Sequence, residues 1–541
     1  MSILCIYTGD NFNIVNSIWI NSDTSSNKFK NTALKCVFMD LAYLFSKTSQ
    51  KAPDKVAIEF EGSQITFKEL DLAGNKAANS LKSEGVLKGD RLALFVPNCM
   101  ELVYSIIGAF KGGNIVVPVN IHFKEEEVLH ILKDSKAKAI ITDMERLPII
   151  NRIRKYLPNL RQVILSDGKD KNAMNLNEMI SHASSETPKV KINDRDYAIM
   201  FYTSGTTGKP KGAPLTNKNV AAGVKALVKS WKWTRNDVFL LALPLYHIHG
   251  IGVALCGSLY AGNTVILKKK FDAQNVLETI QSRKITLFMG VPTMYFKLLE
   301  VPGCKKYDVS SMRLFVSGSA PLSRELFYRF KKTFGQEILE RAGMSETMMN
   351  FSNPYDGRRV PGSVGFCLSG VKIKITDKAY KSVPISTEGE ILIKGPNVFH
   401  GYWNRPELNR HIFVNGWFVT GDVGKIGKNG YIYILGRSKD LIISGGINIY
   451  PKEIEDVIES MPQVKECAVV GVPDKVFGES VKAYAVLNDG NKLTGVEVIA
   501  YCKEKLASFK KPKYVEFLEA LPKNTMGKIQ KNILREMHQS K

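Results

Sequence analysis

The sequence predicts an α/β protein with a large N-terminal domain of layered α/β sheets plus a small antiparallel β region, followed by a small α+β C-terminal domain. Three observations support this fold class. Short β-rich apolar runs alternate with segments of helical periodicity from about residue 40 onward. After about residue 370 the runs become shorter and are separated by turn residues, and the final segment again mixes helices with strands. Alternating strands and helices are typical of largely parallel sheets covered by helices.

The first predicted elements are helices in "DLAYLFSKT" and "KELDLAGNKAANSLKSEG". Strands follow in "RLALFVPN", "NIVVPVN", "AKAIITD", "QVILSD" and "YAIMFYTSG", which are rich in aliphatic side chains and bounded by polar residues. Further strands are predicted in "VFLLALPLYH", "NTVILKK", "ITLFMGVP" and "MRLFVSGSAP". Several of these strands end in small or proline-containing turns, which is where open α/β sheets bind ligands.

The antiparallel region is predicted from "VKIKITD", "GEILIKGPN" and "GWFVTGDVGKIGKNGYIYILGR", whose Asn-Gly pair and alternation favour a hairpin. Beyond it, "YPKEIEDVIESMP", "VKECAVVGVPD", "SVKAYAVLND" and "GVEVIAYCKEKLA" predict helix, strand, strand and helix. We place the domain border near 436–440, which gives an N-terminal domain over 38–437 and a C-terminal domain over 438–541. Residues 1–37 form an extension that we expect to be poorly ordered.

Cysteine usage and the N-terminal segment bear on the compartment. The eight cysteines are isolated and form no CxxC pair, which is typical of reduced intracellular thiols. The extension lacks the Arg-rich, acid-poor character of a mitochondrial transit peptide, because it has no arginine and contains Asp10 and Asp23. We therefore predict a cytoplasmic protein, with the mitochondrial matrix as the alternative.

The net charge of +23 raises the question of a nucleic-acid or membrane partner. The lysines are spread along the whole chain, which favours a solvated basic surface over a dedicated binding patch. No apolar run reaches the roughly 20 residues that a membrane span needs. We therefore expect no nucleic acid and no integral membrane segment, and a monomer or a weak homo-oligomer. The charge does favour polyanionic small molecules such as nucleotides.

The stretch "YTSGTTGKPKG" over 202–212 combines hydroxyl, glycine and lysine residues directly after a predicted strand. Backbone N–H groups of a Gly-rich turn bind anions, and the hydroxyls and Lys209 add further donors. The stretch differs from a Walker P-loop because Lys209 is followed by Pro210. Composition favours a phosphate cradle, and a glycine-rich surface turn is the alternative.

Three further segments contain side chains suited to nucleotide chemistry. In "ERAGMSE", Glu346 could bind Mg²⁺ with help from the Ser345 hydroxyl, since Mg²⁺ takes few carboxylates plus phosphate oxygens. In "GWFVTGD" and "ILGR", Asp422 and Arg437 could hydrogen-bond ribose hydroxyls. In "NTMGKIQKN", Lys528 precedes a predicted helix. Taken alone, these residues fit a helix cap, a turn, a rim arginine or a solvated lysine at least as well.

Together and in this order, "YTSGTTGKPKG", "GWFVTGD", "GRSKDLIISGGINIYP" and "NTMGK" resemble the motifs of the acyl-adenylate-forming (AMP-binding) superfamily, which includes the acyl-CoA synthetases. The resemblance covers about residues 38–541. Within the superfamily, "MGVPTMYFKLLE", "MRLFVSGSAPL" and "LPKNTMGKIQKN" are most similar to malonyl-CoA synthetases. The resemblance implies a ligase that uses ATP, Mg²⁺ and coenzyme A. The acid is first joined to AMP with release of pyrophosphate, and the CoA thiol then displaces AMP.

The resemblance also implies a role for each matching residue. Lys528, Glu346 and Ser345 would be catalytic, and Glu346 and Thr203 would bind the metal. ATP would be bound by Thr203, Ser204, Gly205, Thr206, Thr207, Gly208, Lys209, Ser317, Gly318, Ser319, Ala320, Ala342, Gly343, Met344, Asp422 and Arg437. The acid would contact His247, Lys297, Gly318 and Met344. CoA binding or the hinge for rotation of the C-terminal domain would involve Lys439, Ser444, Gly445 and Gly446.

Two positions depart from the superfamily pattern, and a third bears on the substrate. Ala342 stands where the superfamily usually has an aromatic residue that stacks on adenine, and Ser345 replaces a threonine but keeps the hydroxyl. Malonyl-CoA synthetases usually carry arginine at the position of Lys297. Lysine keeps a positive charge for the distal carboxylate of a dicarboxylate but lacks the bidentate fork of arginine. We predict malonate as the acid, with methylmalonate tolerated, and oxalate or a medium-chain fatty acid as alternatives.

Two other functions are consistent with parts of the sequence. The Ala342 departure would suit a non-catalytic nucleotide-binding relative, but Lys528, Glu346, Asp422 and Arg437 are all present. An adenylating enzyme could also deliver its acyl group to a carrier-protein thiol. Because the sequence ends shortly after Lys528 without a carrier domain, we expect CoA as the acceptor.

Overall fold

The computed structural model describes residues 40–203, 210–444, 447–524 and 527–539. Within these residues the protein folds into four β-sheets and the helices that cover them. The predicted 1–37 extension lies outside the described residues. In chain order the strands are β1 (Val56–Phe60), β2 (Ser63–Thr66), β3 (Arg91–Phe95), β4 (Ile115–Pro118), β5 (Ala139–Thr142), β6 (Gln162–Leu165), β7 (Met174–Asn175), β8 (Tyr197–Thr203), β9 (Lys211–Thr216), β10 (Val238–Leu241), β11 (Thr264–Leu267), β12 (Leu287–Gly290), β13 (Leu314–Ser317), β14 (Ile338–Met344), β15 (Met348–Ser352), β16 (Phe366–Cys367), β17 (Lys372–Thr376), β18 (Gly389–Lys394), β19 (Phe413–Val414), β20 (Trp417–Ile426), β21 (Ile432–Arg437), β22 (Ile442–Ser444), β23 (Ile447–Ile449), β24 (Val464–Asp474), β25 (Gly478–Leu487) and β26 (Tyr514–Phe517).

The α-helices are α1 (Leu41–Lys51), α2 (Phe67–Ser83), α3 (Met100–Gly112), α4 (Glu125–Ser135), α5 (Leu147–Ile153), α6 (Leu176–His182), α7 (Asn217–Ser230), α8 (Cys256–Ala261), α9 (Ala273–Ser282), α10 (Pro292–Glu300), α11 (Arg324–Phe334), α12 (Pro406–His411), α13 (Pro451–Glu459), α14 (Gly495–Lys505) and α15 (Lys531–Gln539). Short 3₁₀ turns occur at Arg154–Tyr156, Cys304–Lys306, Ser438–Asp440 and Ser508–Lys510, and a π-helical stretch at His249–Leu255.

The early helices begin where the sequence supplies a capping residue. Asp40 accepts a 2.7 Å hydrogen bond from the Tyr43 backbone N–H at the start of α1. Thr66 forms a capping box with Glu69 at the start of α2. Both helices therefore start within a residue or two of their predicted positions.

The first large sheet has seven strands in the order β7-β6-β5-β3-β4-β8-β9. All neighbours are parallel except β8 and β9, which form an antiparallel pair at one edge. The second has nine strands in the order β16-β15-β14-β13-β12-β10-β11-β1-β2, with a parallel centre and antiparallel pairs at both ends. The predicted strands from "RLALFVPN" to "MRLFVSGSAP" all lie in these two sheets.

Alternate side chains of the large sheets enter different cores. Leu94 of β3 and Leu241 of β10 belong to one large cluster that also includes residues of α2, α3 and α7. Their chain neighbours Ala93 and Leu240 belong to separate clusters on the other faces of the two sheets. Because strand side chains alternate between faces, this pattern places helices between the two sheets and outside them. The layered α/β prediction is confirmed.

The third sheet is the predicted small antiparallel region, in the order β17-β18-β20-β19 with β21 paired to β20. β20 and β21 form the hairpin predicted from the Asn-Gly pair. The fourth sheet, in the order β23-β22-β25-β24 with β26 beside β25, belongs to the C-terminal domain with α13, α14 and α15. The predicted helix, strand, strand and helix of this domain are confirmed. Among the described residues, no helix has both the length and the apolar character required to cross a bilayer.

Candidate functional site

The phosphate-cradle motif joins two antiparallel strands at the edge of the first large sheet. β8 ends at Thr203 and β9 begins at Lys211, and the two residues are paired in register, so Thr203 lies at the base of the connection. The side chain of His130 in α4 hydrogen-bonds the carbonyl of Pro210 at 2.8 Å and anchors the exit of the connection. The predicted ATP-binding residues Ser204, Gly205, Thr206, Thr207, Gly208 and Lys209 lie outside the described residues.

Glu346 lies in the tight turn of a second hairpin, formed by β14 and β15. Met344 pairs with Met348, so Ser345 and Glu346 belong to the turn itself. The Glu346 side chain is buried, and its Oε1 accepts a 2.8 Å hydrogen bond from the Tyr402 hydroxyl. Burial, and then the charge of Glu346, raise the pKa of Tyr402, so the phenol stays protonated as a donor. The Glu346 side chain keeps further acceptor sites beside this hydrogen bond.

Tyr402 also connects Glu346 to the first hairpin. Its ring lies 5.8 Å from the Nζ of Lys211, the residue paired with Thr203. The predicted metal residues Thr203 and Glu346 thus belong to one local framework. Their donors, a buried carboxylate and a hydroxyl, fit a Mg²⁺ ion that takes its other ligands from phosphate and water. In the described part of the chain, no group of three or more His, Cys, Asp or Glu side chains could hold a metal by itself.

The turn after β13 contains Gly318 and Ser319. A Cβ added to Gly318 would lie 2.5 Å from the Arg341 Cζ, so any larger residue would displace that guanidinium. Ser319 has a φ of 70°, in the left-handed region that is unfavourable for residues other than glycine. Its hydroxyl lies 3.3 Å from Nδ1 of His249. The turn is therefore packed directly against Arg341 and His249.

Arg341 is a buried cation whose Nε and Nη2 atoms have no hydrogen-bond partner among the described residues. Burial lowers its pKa to about 9. The Ser317 hydroxyl and His249 Nε2 are also buried and, within the same described ranges, also lack a partner. An unsatisfied buried polar group costs about 1–3 kcal/mol, so such groups are rare. Unsatisfied atoms on three side chains around one turn make this turn a candidate ligand site.

Two histidines remain neutral beside this cation. Burial and the charge of Arg341 lower the pKa of His247 to about 4 and that of His249 well below its ordinary value. Lys528 contributes to the shift of His247, so the C-terminal lysine lies close enough to act on this region. Neutral imidazoles can hydrogen-bond an anion without adding charge. We call the group formed by Ser317, Gly318, Arg341, His247 and His249 the buried polar pocket.

The predicted adenine residues continue β14 beyond Arg341. Ala342 is paired with Phe351 and packs, partly buried, against the main core. Gly343 leaves no room for a side chain, because a Cβ there would lie 2.1 Å from the Met348 carbonyl oxygen. At this point the strand therefore presents backbone atoms and the Ala342 methyl group. Residue 342 contributes no aromatic ring.

Asp422 and Arg437, predicted to hold ribose, face each other across β20 and β21. Arg437 Nε lies 2.9 Å from Asp422 Oδ1, and its Nη1 donates a 3.0 Å hydrogen bond to the Thr420 carbonyl. The Asp422 carboxylate raises the pKa of Arg437, so the guanidinium stays charged. The structure thus brings the predicted ribose pair together and orients both side chains.

Lys528 occupies a turn closed by reciprocal hydrogen bonds with Asn524. The Lys528 N–H donates to Asn524 Oδ1 at 3.0 Å, and its carbonyl accepts from the Asn524 N–H at 2.9 Å. The side chain is exposed, yet the protein atoms around it and the charge of Arg437 lower the pKa of Lys528, while Asp422 opposes the shift. The turn is therefore within electrostatic range of the Asp422–Arg437 pair and of His247, and we call the space between this turn and the N-terminal domain the cleft.

The predicted hinge and CoA positions follow β21 in the chain. Lys439 belongs to the 3₁₀ turn directly after β21, and burial lowers its pKa. Ser444 ends β22. Gly445 and Gly446 lie outside the described residues. The roles of these four positions stay predictions.

Lys297, predicted to bind the acid, is exposed on α10. The opposite side of this helix carries buried Tyr295, whose hydroxyl donates a 2.6 Å hydrogen bond to the Val316 carbonyl. The structure thus separates two cations, with Arg341 inside the buried polar pocket and Lys297 on an outer helix face. The substrate role of Lys297 stays a prediction.

Comparison with known families identifies the fold. The model of the AMP-binding enzyme family matches residues 45–403, and that of the AMP-binding enzyme C-terminal domain matches residues 453–528. The chain belongs to the AMP-binding enzyme family. The superfamily predicted from the motifs is therefore confirmed, and the family match covers both domains.

Relatives of this AMP-binding enzyme differ in the acids that their names give. A long-chain-fatty-acid–CoA ligase of Bacillus subtilis is 35% identical over 92% of this chain and 94% of its own. A feruloyl-CoA synthase of Amycolatopsis is 32% identical over 90% of this chain and 97% of its own. The chain is accordingly an ATP-dependent acyl-CoA ligase.

Solved structures agree on the fold. ATP-bound MatB from Rhodopseudomonas palustris is 40% identical, with a TM-score of 0.87, and covers 92% of this chain and 99% of its own. The anthranilate CoA ligase AuaEII in complex with anthranoyl-AMP is 31% identical, with a TM-score of 0.87, over 93% of this chain and 97% of its own. Both neighbours match the two-domain architecture of this AMP-binding enzyme.

Sequence reasoning missed two residues of the site, Arg341 and Tyr402. Arg341 could have been found from its place in the strand segment "ILERAGM". Charged side chains are seldom buried in strands unless they have a partner. No comparable signal marks Tyr402, which is distant in the sequence from both hairpins that it contacts.

Proposed function

We propose that this AMP-binding enzyme ligates CoA to a small dicarboxylic acid, malonate first, with methylmalonate tolerated. The observation that carries the proposal is the buried, unsatisfied guanidinium of Arg341. A buried cation without a partner is strongly unfavourable, so its retention is best explained by an anionic ligand. A carboxylate accepts two parallel hydrogen bonds from a guanidinium, which matches the two unsatisfied nitrogen atoms.

The neighbours of Arg341 support the same class of acid. The Ser317 hydroxyl and His249 are polar and uncharged, and His247 stays neutral at physiological pH. An apolar acyl chain in the buried polar pocket would leave the Ser317 hydroxyl and His249 Nε2 unsatisfied, whereas a second carboxylate can accept from both. The sequence resemblance to malonyl-CoA synthetases points the same way.

The reaction follows from the remaining residues. A carboxylate does not react with a thiol until its oxygen becomes part of a good leaving group, and joining the acid to AMP achieves this. Asp422 and Arg437 orient the ribose, and Lys528 stabilises the negative charge that develops between the acid and the α-phosphate. Glu346, Ser345 and Thr203 would hold Mg²⁺, which neutralises phosphate charge when bound. Phosphoryl transfer of this kind depends mainly on positioning and electrostatics, which these side chains supply.

Acid-dependent pyrophosphate release tests the proposal. The panel contains malonate, methylmalonate, succinate, oxalate, acetate and octanoate, each with and without CoA. We expect malonate to give the highest kcat/KM and CoA-dependent turnover, with succinate weaker because its distal carboxylate extends beyond Arg341. A Lys528→Ala variant supplies the background rate.

Fatty-acid activation is the second candidate, since a curated relative at 35% identity carries that name. Octanoate exceeding malonate in the panel would contradict the dicarboxylate assignment and leave the ligase reaction intact. No pyrophosphate release with any acid would contradict the proposed reaction as well.

A further inference from the structure

The outer face of α10 carries a line of side chains that meets the C-terminal domain. Thr293, Phe296 and Glu300 are spaced by three and four residues, so they share one helix face. The other face carries Tyr295, Leu298 and Leu299, which are buried in the core beneath the helix. α10 is thus fixed to the N-terminal domain by one face and is available for contact along the other.

Phe296 lies at the centre of this outer face, between two cations. The Nζ of Lys465, at the start of β24 in the C-terminal domain, lies 5.6 Å from the Phe296 ring centroid. The guanidinium of Arg329 in α11 also lies 5.6 Å from it, and Arg329 is paired with Glu300. Both distances are within the range of cation–π attraction. Of these contacts, the one to Lys465 crosses between the domains.

A second contact lies one turn earlier on the same face. A Cβ added to Gly527, the residue before Lys528, would lie 3.1 Å from Thr293 Oγ1. Residues of both domains, including Glu300, Arg329, Pro462 and Asn488, line a gap beside Phe296. The outer face of α10 therefore contacts the C-terminal domain at two points, the Lys528 turn and the start of β24.

We propose that Phe296 and Lys465 form a docking contact that positions Lys528 for adenylation. α10 is anchored in the N-terminal core by its buried face, and Lys465 and the Gly527–Lys528 turn belong to one domain, so holding Lys465 against Phe296 also favours the position of that turn at Thr293. Any rotation of the C-terminal domain that withdraws Lys528 from the cleft must separate Lys465 from Phe296. The contact therefore stabilises the adenylation orientation over other orientations, and a contact with different energies in two states shifts their populations. Phe296 and Lys465 are positioning residues that act through Lys528.

The inference rests on the two-step ligase reaction and is independent of the identity of the acid. The two half-reactions are measured separately, with whichever acid of the panel gives the highest signal. Adenylation is followed as acid-dependent exchange of pyrophosphate into ATP. Thioester formation is followed as CoA consumption after the acyl-adenylate has been supplied. A panel that favours octanoate would change the acid used and leave this test intact.

Phe296→Leu and Lys465→Gln are the test variants, because both keep much of the side-chain volume and remove the ring or the charge. Cation–π contacts at exposed sites contribute about 0.5–1 kcal/mol, so we expect adenylation to fall about two- to fivefold. We expect thioester formation to be undiminished. The double variant should lose no more than either single variant, because both remove the same contact.

Lys505→Gln is the matched control. Lys505 lies 5.5 Å from the Tyr501 ring, but both residues belong to α14, so this contact does not cross between the domains. Lys505→Gln should leave both half-reactions unchanged. Equal losses in the two half-reactions for the Phe296 and Lys465 variants, or additive losses in the double variant, would overturn the proposal. A loss in Lys505→Gln equal to that in Lys465→Gln would overturn it too.

Discussion

The positive charges of the buried polar pocket and of the Lys528 turn differ in their exposure to solvent and in the domain that supplies them. Arg341 is enclosed within one domain, with two nitrogen atoms unsatisfied among the described residues. Lys528 is exposed on a turn of the other domain and enters the cleft only because the domains meet there. A preformed buried charge selects a ligand, since desolvation makes a mismatch costly. A charge delivered by a second domain can be present for one step and absent from the next.

The largest effect should come from Lys528→Ala, which removes the charge delivered to the cleft. Loss of a group that stabilises developing charge lowers the rate by about 10²–10³-fold, and we expect a loss of that order in adenylation. ATP binding should persist, because the residues predicted to bind the nucleotide belong mainly to the N-terminal domain. Pyrophosphate exchange and equilibrium ATP binding measure the two properties. Unchanged exchange would remove Lys528 from the mechanism.

Arg341→Met should have the second-largest effect, and this effect should be on binding of the acid. A hydrogen bond to a charged group contributes about 1.5–3 kcal/mol, so the KM for malonate should rise about ten- to a hundredfold while the KM for ATP changes little. The variant should unfold at the same or a higher temperature, because it removes an unpaired buried charge. Steady-state kinetics and thermal unfolding provide the readouts. A marked fall in unfolding temperature without a change in the malonate KM would show that Arg341 is structural.

The pH dependence at saturating acid isolates the Lys528 charge, because a bound carboxylate keeps Arg341, whose pKa is otherwise about 9, protonated. Lys528 acts as an ammonium group, so adenylation should decline as pH rises through its pKa, which is below that of a free lysine. The rate should be halved at that pKa and fall about tenfold per pH unit above it. Lys528→Arg should move the decline to higher pH, since arginine stays protonated. His247, with its pKa of about 4, should produce no change between pH 6 and 8. A pH-rate profile of pyrophosphate exchange for both proteins checks these expectations.

The smallest effect should come from Lys297→Met, which serves as the matched control for Arg341→Met. An exposed charge contributes about 0–1 kcal/mol, so the malonate KM should change by less than about fivefold. A rise in the malonate KM as large as that in Arg341→Met would show that Lys297 reaches the distal carboxylate, as the sequence comparison predicts. Such a rise would also show that burial does not decide which of the two cations selects the acid.

Local sequence determined the layered fold and was sufficient to predict a set of nucleotide-site residues. The signals for these elements act over a few residues, so each can be recognised from its own segment of the sequence. They are strand and helix periodicity, capping residues such as Asp40 and Thr66, and the Asn-Gly turn before β21. The motif set was specific enough to predict the family. Asp422 and Arg437 were paired correctly because they lie at matching ends of one hairpin.

Only the tertiary structure decided which cation lies in the pocket and how the domains meet. Arg341 and Lys297 are both positive charges in the sequence, and their burial differs because β14 lies inside a sheet whereas the Lys297 side of α10 faces outward. The Tyr402–Glu346 hydrogen bond and the contact of Lys465 with Phe296 join residues far apart in the chain. Such pairings arise from packing of whole elements, which local propensity does not encode, and they position the charges on which the chemistry depends.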